Sequence, residues 1–272
     1  MSGIDLVVTD LDGTLWDHNV EVHPSSREAL ATLAEAGIPV LAATGRRKVS
    51  TLRGFERSGL TFPSVTVNGA FGFVPATSNV AEHEFHRAPF DVDTAMAVLD
   101  TYRSCGHIPV AYNIDGTAHV SADTTTSQRH LESFTSDAIF APPEEAARLG
   151  EIVGFAVVGV DDEAGLEDVG AALRSMGVAT DPYRESIYGG WSMSAQPPGV
   201  SKWLGVQGYC EFVGLENPRV LALGDGGNDV ELLQGADISL GIDGGDSEAL
   251  ALADRIIAPP EAGGWAAVLD YL

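Results

Sequence analysis

Short apolar runs that stop abruptly at a small or acidic polar residue recur along the chain. Ile4–Thr9 stops at Asp10, Ile38–Ala43 at Thr44, Val65–Val67 at Asn68, and Val220–Leu223 at Gly224 and Asp225. Runs this short, rich in β-branched residues and bounded by turn formers, predict buried strands. Helical spacing of apolar positions appears at Ser25–Ala36 before Gly37, at Val49–Ser58 before Gly59, and at Val230–Leu233 before Gly235. This alternation predicts an α/β fold, a doubly wound, mainly parallel sheet covered on both faces. Ligands of such sheets bind beyond the carboxyl ends of the strands. Asp10, Thr44, Asn68 and Asp225 are therefore expected to meet, although the first and last lie near opposite ends of the sequence.

The rhythm changes in the middle of the chain. A helix is predicted over Val92–Arg103, opened by Ala88-Pro89-Phe90. Two alternating segments flank Asp115-Gly116, which has the composition of a hairpin turn. Gln128–Phe134 reads as a second helix, Ile152–Val160 as a strand, and Gly165–Met176 as an amphipathic helix closed by Gly177. These elements predict a small α+β domain inserted at 84–190 into an α/β domain formed by 1–83 and 191–272. There is no internal repeat.

Composition narrows the picture. With 272 residues, 44% of them hydrophobic and 20% charged, the chain is long enough for one large domain or two modest ones. Its apolar runs are too short to span a bilayer, and the first thirty residues carry no leader pattern. Cys105 and Cys210 form no disulfide framework and no CxxC pair. A soluble protein of the reducing cytoplasm is expected. The net charge of −24 argues against nucleic acid and anionic membrane as partners. It also means that an anionic substrate would need local cations and backbone N–H groups to overcome the global field.

Four segments carry candidate chemistry. In Asp10-Leu11-Asp12-Gly13-Thr14-Leu15 two carboxylates follow a strand end, where one can attack as a nucleophile and the other can move protons. In Ala43-Thr44-Gly45-Arg46-Arg47 a hydroxyl and exposed N–H groups at a helix start can hold phosphate oxygens; a plain N-cap role for Thr44 explains this motif equally simply. Lys202 follows the turn Pro197-Pro198-Gly199 and can neutralise charge at the site, against the base-rate expectation of a surface lysine. Gly224-Asp225-Gly226-Gly227-Asn228-Asp229 offers carboxylates at a strand end, a donor set suited to a hard cation such as Mg²⁺. It lacks the final glycine of a dinucleotide fingerprint, since Asp229 stands there. Two acidic turns on one sheet edge would repel each other without a cation between them.

Taken in order, the four motifs resemble the haloacid dehalogenase (HAD) superfamily of phosphohydrolases. The insertion, together with Val67-Asn68-Gly69-Ala70, is similar to the Cof-type branch with an α/β cap (class IIB). The resemblance covers the whole chain. It implies that Asp10 is the nucleophile and a Mg²⁺ ligand, and that Asp12 is the general acid/base and binds Mg²⁺ through its backbone carbonyl. It implies that Thr44 and Gly45 hold phosphoryl oxygens, that Lys202 stabilises the nucleophile and the transferring group, and that Asn228 contacts phosphate or orients Lys202. Asp225 would ligate Mg²⁺ directly, and Asp229 directly or through water. A second acid at Asp12 favours a phosphatase over a dehalogenase.

The implied activity is Mg²⁺-dependent hydrolysis of small phosphorylated metabolites, sugar phosphates foremost, through an aspartyl-phosphate. Sucrose-phosphate, mannosyl-3-phosphoglycerate and phosphoglycolate phosphatases are the specialised alternatives. A non-catalytic phosphometabolite-binding protein is the alternative of another class, and the pair Asp10 and Asp12 speaks against it. The sequence leaves monomer against homodimer open, and it gives no rank to Tyr112, Asn113, Asp115, Arg184 and Tyr188 as cap residues facing substrate. His83-Glu84-Phe85-His86 lacks metal-site spacing, and Trp191, Trp203 and Trp265 are expected to pack.

Overall fold

In the computed structural model the described residues are 3–134, 136–178, 180, 182–184 and 188–272. Its strands, in chain order, are β1 (Leu6–Thr9), β2 (Val40–Ala43), β3 (Ser64–Thr66), β4 (Phe71–Val74), β5 (His83–Arg87), β6 (Val110–Asn113), β7 (Ala118–His119), β8 (Ala138–Ile139), β9 (Ile152–Val160), β10 (Tyr183–Arg184), β11 (Trp191–Ala195), β12 (Val220–Gly224), β13 (Ile238–Ile242) and β14 (Arg255–Ile257). They form two sheets, and the chain divides into two compact units. One comprises residues 1–46, 50–86 and 201–272, and the other 47–49 and 87–200, where the sequence predicts an insertion at 84–190.

The first unit holds the eight-stranded sheet, in the order β14-β13-β12-β1-β2-β3-β4-β5. From β14 to β3 every pairing is parallel; β4 returns antiparallel beside β3. All four residues of β1 are buried, as a central strand covered on both faces requires. Their alternation sorts them between two cores. Val7 joins Leu11, Trp16, Leu33, Phe55, Leu223 and Trp265 on one face, while Leu6 and Val8 join Leu41, Val65, Val206 and Leu232 on the other. Fully burying one such aliphatic side chain is worth about 1.5–3 kcal/mol, so both layers hold β1 and β12 rigidly at the centre. The predicted α/β class with a doubly wound, mainly parallel sheet is the observed one.

Local chemistry sets the helix boundaries. The helix Pro24–Glu35 opens with proline in its first turn, and the His23 ring accepts the Ser25 N–H. The helix Lys202–Val213 opens on Ser201, whose hydroxyl accepts the Leu204 N–H, and closes on left-handed Gly214. Most predicted ends move by one or two residues, and two move for a visible reason. The third apolar run ends as a strand at Thr66, because Val67 and Asn68 take positive φ angles of 51° and 53°. The helix predicted over Gln128–Phe134 stops at Leu131; the chain continues in tight turns, with Ser133 and Phe134 N–H groups bonding three residues back.

The second unit is a mixed six-stranded sheet in the order β10-β11-β9-β6-β7-β8, antiparallel except for β7 beside β8. Helices Val92–Ser104 and Glu163–Ser175 supply Val98, Leu99, Tyr102, Leu166, Val169 and Leu173 to a core with Ile152, Phe155 and Val157 of β9. The predicted hairpin at Asp115-Gly116 joins β6 to β7, with Ala111 opposite His119. Arg47 is buried in this unit. Its guanidinium pairs with Asp137 at 2.8 Å, donates to the Gly116 carbonyl at 3.0 Å, and lies 4.3 Å from the Phe134 ring centre. Among the described residues no helix is long and apolar enough to cross a membrane.

Candidate active site

Every residue of the candidate site lies in the first unit. The parallel register places Thr9 of β1 opposite Leu223 of β12, so Asp10 and Asp225 emerge side by side at the carboxyl end of the sheet. The Asp10 N–H donates to the Leu223 carbonyl at 2.9 Å, tying the two strand tips together. Gly13 follows with φ +81°, and a Cβ there would stand 2.5 Å from Oδ2 of Asp225, so the first loop can pass the Asp225 carboxylate only without a side chain.

Lys202, the first residue of its helix, enters from the side and is 1% exposed. Its Nζ donates to Oδ1 of Asp10 at 2.7 Å and to Oδ1 of Asp229 at 2.6 Å. The other oxygen of Asp229 accepts the N–H groups of Asp225 and Gly226 at 3.1 and 3.0 Å. Asp225 is oriented by the Thr14 hydroxyl, which donates to its Oδ1 at 2.9 Å. Asp10, Asp225 and Asp229 each present an oxygen within 4.8 Å of the others.

Three carboxylates against one ammonium leave excess negative charge in a buried place. Burial raises the Asp10 carboxyl well above its ordinary value; Lys202 opposes this, and Asp229, Asp225 and Asp12 add to it. Asp225 is raised as well, by burial first and then by Asp229. Burial works against the charged form of Lys202, but Asp10 and Asp229 more than offset it and raise its pKa. An all-oxygen donor set with surplus negative charge suits a hard divalent cation. Asp10, Asp225 and Asp229 are the side chains that fit it.

Asp12 points elsewhere. Its carboxylate takes two parallel bonds from Arg46, Nε to Oδ2 and Nη2 to Oδ1, each 2.6 Å. Thr44 sits at the tip of β2, buried, and its hydroxyl accepts the Arg46 N–H at 3.1 Å. Asn228 donates its side-chain N–H to Oδ1 of Asn68 at 2.9 Å, and Gly45 lies against this pair. The structure thus gathers Asp10, Lys202, Asp225 and Asp229 into one bonded cluster. Thr44, Gly45, Asn68 and Asn228 form a second, and Asp12 pairs with Arg46.

Three participants carry no sequence expectation of a role here. Arg46 and Thr14 stand inside quoted motifs, which is the only signal either gives. Trp265 is packed as expected, yet its indole N–H also donates to the Thr9 hydroxyl at 2.9 Å, which in turn donates to the Asp10 carbonyl at 2.6 Å. Nothing in the sequence marks that connection.

The model of the haloacid dehalogenase-like hydrolase family matches residues 7–269, and the chain belongs to that family. It is an enzyme of that hydrolase family, and the proteins it resembles include phosphatases of small phosphorylated metabolites. Among similar proteins, the 5-amino-6-(5-phospho-D-ribitylamino)uracil phosphatase YitU of Bacillus subtilis is 26% identical, over 97% of this chain and 96% of its own length. The pyridoxal phosphate phosphatase YbhA of Escherichia coli is 25% identical over 93% and 92%. A phosphoglycolate phosphatase of Haloarcula marismortui is 26% identical over 92% and 89%. Among solved structures, the HAD subclass IIB sugar phosphatase BT4131 superposes with a TM-score of 0.74 at 19% identity, covering 98% of both chains. TM0651 from Thermotoga maritima gives 0.77 at 18% identity, covering 99% of this chain and 97% of its own.

Proposed function

We propose that this enzyme is a Mg²⁺-dependent phosphatase of small phosphate esters, sugar phosphates foremost, and that it works through a phosphoryl group carried on Asp10. The observation that carries the reading is the buried ammonium of Lys202 bonded to both Asp10 and Asp229, with Asp225 alongside. Lys202 opposes the burial that raises Asp10 and fixes its carboxyl group in one orientation, as a nucleophile requires.

Asp10 attacks phosphorus through a carboxylate oxygen, and the bond from phosphorus to the ester oxygen breaks. Asp12, entering this step protonated, gives that leaving oxygen its proton and becomes the carboxylate. Asp12 then takes a proton from water, the water oxygen bonds to phosphorus, and the bond to Asp10 breaks, releasing inorganic phosphate. The Thr44 hydroxyl, already accepting from Arg46, has its own proton to donate to a phosphoryl oxygen, and the Gly45 N–H and Asn228 serve the same group. Asp10, Asp225, the Asp12 carbonyl and, directly or through water, Asp229 would hold Mg²⁺, which would supply positive charge that screens nucleophile from substrate. Insertion of an α+β unit between the site-bearing segments suits small substrates and gives a surface on which specificity can vary. The three named relatives act on three different phosphate esters at nearly equal identity, so the substrate lies open within that class. The net charge of −24 supports a soluble protein without nucleic-acid or anionic-membrane partners, and two isolated cysteines suit a reducing cytoplasm.

The test is hydrolysis of p-nitrophenyl phosphate with Mg²⁺ and then with excess EDTA. Turnover that needs Mg²⁺ supports the reading. Turnover unchanged by EDTA rejects the metal, and no turnover of any phosphorylated metabolite in a broad screen rejects the function.

A further inference from the structure

We propose that Arg46 is the positioning residue for Asp12, fixing the carboxyl group through which a proton reaches the leaving group. This inference rests on the function proposed above and extends it to a residue that reading does not use. The Asp12 side chain is 41% exposed, on a loop, and among the described residues Arg46 supplies its side-chain hydrogen bonds. An exposed aspartate on a loop samples several rotamers unless something selects one. The fork of two parallel bonds selects one, because planar guanidinium and carboxylate match in only a narrow range of orientations.

The fork is itself held at several points. The Arg46 N–H bonds the Thr44 hydroxyl at 3.1 Å, and its carbonyl accepts the Val67 N–H at 2.9 Å, so the backbone is fixed between the tips of β2 and β3. The guanidinium carbon lies 5.2 Å from the centre of the fully buried Trp16 ring, and Nη1 reaches the Ser50 carbonyl at 3.5 Å. Trp16 belongs to the same loop as Asp12, with the Gly13 N–H bonded to the Trp16 carbonyl at 2.9 Å. The acid-bearing loop and the loop that bears Thr44 are thereby locked in register. A lysine at position 46 would keep the charge and lose both the fork and the guanidinium's place over the indole.

The consequence is specific to leaving groups. Proton delivery matters for an alkyl phosphate, whose alkoxide leaves poorly, and matters little for p-nitrophenyl phosphate, whose phenolate leaves unaided. Misplacing a catalytic group by about 1 Å costs roughly 100-fold in rate. In Arg46→Lys, kcat/KM, which reports transfer of the phosphoryl group to Asp10 and not the later hydrolysis common to both esters, is expected to fall about 100-fold on an alkyl phosphate such as glycerol phosphate. On p-nitrophenyl phosphate the fall should be at least ten times smaller. In an Asp12→Ala background the same substitution should add no further loss on the alkyl ester, because a residue that acts through Asp12 has nothing left to position.

Thermal melting of each variant separates loss of fold from loss of position, and Arg46→Gln serves where Arg46→Lys melts below assay temperature. Equal losses on the two esters, or a full additional loss in the Asp12→Ala background, would overturn the assignment. A failure of the phosphatase reading looks different: the wild-type protein with Mg²⁺ would hydrolyse neither ester, and Asp12 would then have no leaving group for Arg46 to serve.

Discussion

Each unit of this protein buries a cation, and the two are partnered differently. In the second unit Arg47 pairs with the carboxylate of Asp137, beside the Tyr112 and Phe134 rings and the Gly116 carbonyl. That carboxylate matches the charge of the guanidinium. In the first unit Lys202 faces Asp10 and Asp229, with Asp225 close by. There the charges do not balance, and burial of the excess is costly unless something positive arrives. A balanced buried pair contributes to structure; an unbalanced one is a binding site for what it lacks. Adjacent Arg46 and Arg47 repeat the lesson at shorter range, one holding the acid of the proposed chemistry and the other an acid with no assigned role.

The sharpest break of this comparison is Asp10→Asn, which removes the nucleophile and one excess charge together. Its kcat is expected to fall by at least about 10⁴-fold, with the fold retained by circular dichroism. Next come the two cations themselves. Lys202→Met should lower kcat by roughly 10²–10³-fold, and Mg²⁺ should then raise the melting temperature more than it does in wild type, since three carboxylates remain without their ammonium. Arg47→Met should cost about 3–5 kcal/mol of stability, measured by urea unfolding, and Mg²⁺ should restore none of it. Equal rescue of both variants by Mg²⁺ would erase the distinction drawn between the clusters.

A smaller effect follows from pH. Asp10 and Asp225 are raised above their ordinary values by burial, so over the range between the ordinary and raised values the folded metal-free chain holds protons that the unfolded chain has released. Its stability therefore falls as pH rises through that range. A bound cation removes the penalty, so the Mg²⁺-induced rise in melting temperature should be larger at about pH 7.5 than at about pH 5. A shift that shrinks with rising pH would contradict this.

The smallest effect belongs to the second unit. Burial, and then the charge of Arg47, push His130 down from 6.5 to about 4. Between those values the unfolded chain takes up the proton first, so stability is lost as pH falls through the window, by at most about 1.4 kcal/mol per pH unit. His130→Asn should flatten that slope in urea titrations; an unchanged slope would assign it to other groups.

The fold was legible where a strand is buried on both faces and ends at a polar residue. Ile4–Thr9 and Val220–Leu223 satisfy that pattern, and parallel pairing of their strands brings Asp10 and Asp225 together. Two-residue strands such as β7, β8 and β10 have no period to read, and β11 is defined only by its partner β9. The bend at Val67 and Asn68 was equally hidden, because two consecutive positive φ angles at Val-Asn follow from the surroundings rather than from local preference. Within the site, charged residues at strand tips announced themselves by type and position. Lys202 did so only through its neighbours, since a lysine is usually exposed and this one is buried. Thr14 on Asp225, Trp265 on Thr9 and the Arg46 fork on Asp12 are side-chain contacts between segments distant in sequence, and no pattern along one strand or helix encodes them.

Rapid quenching of the enzyme during turnover of a ³²P-labelled phosphate ester, followed by peptide mapping, tests most directly whether a surplus of buried carboxylates exists here to let one of them accept a phosphoryl group. Acid-stable, hydroxylamine-labile label on the peptide containing Asp10, present with Mg²⁺ and absent with EDTA, is the expected result. Multiple turnovers with no label on that peptide, or label that forms equally in EDTA, would contradict it.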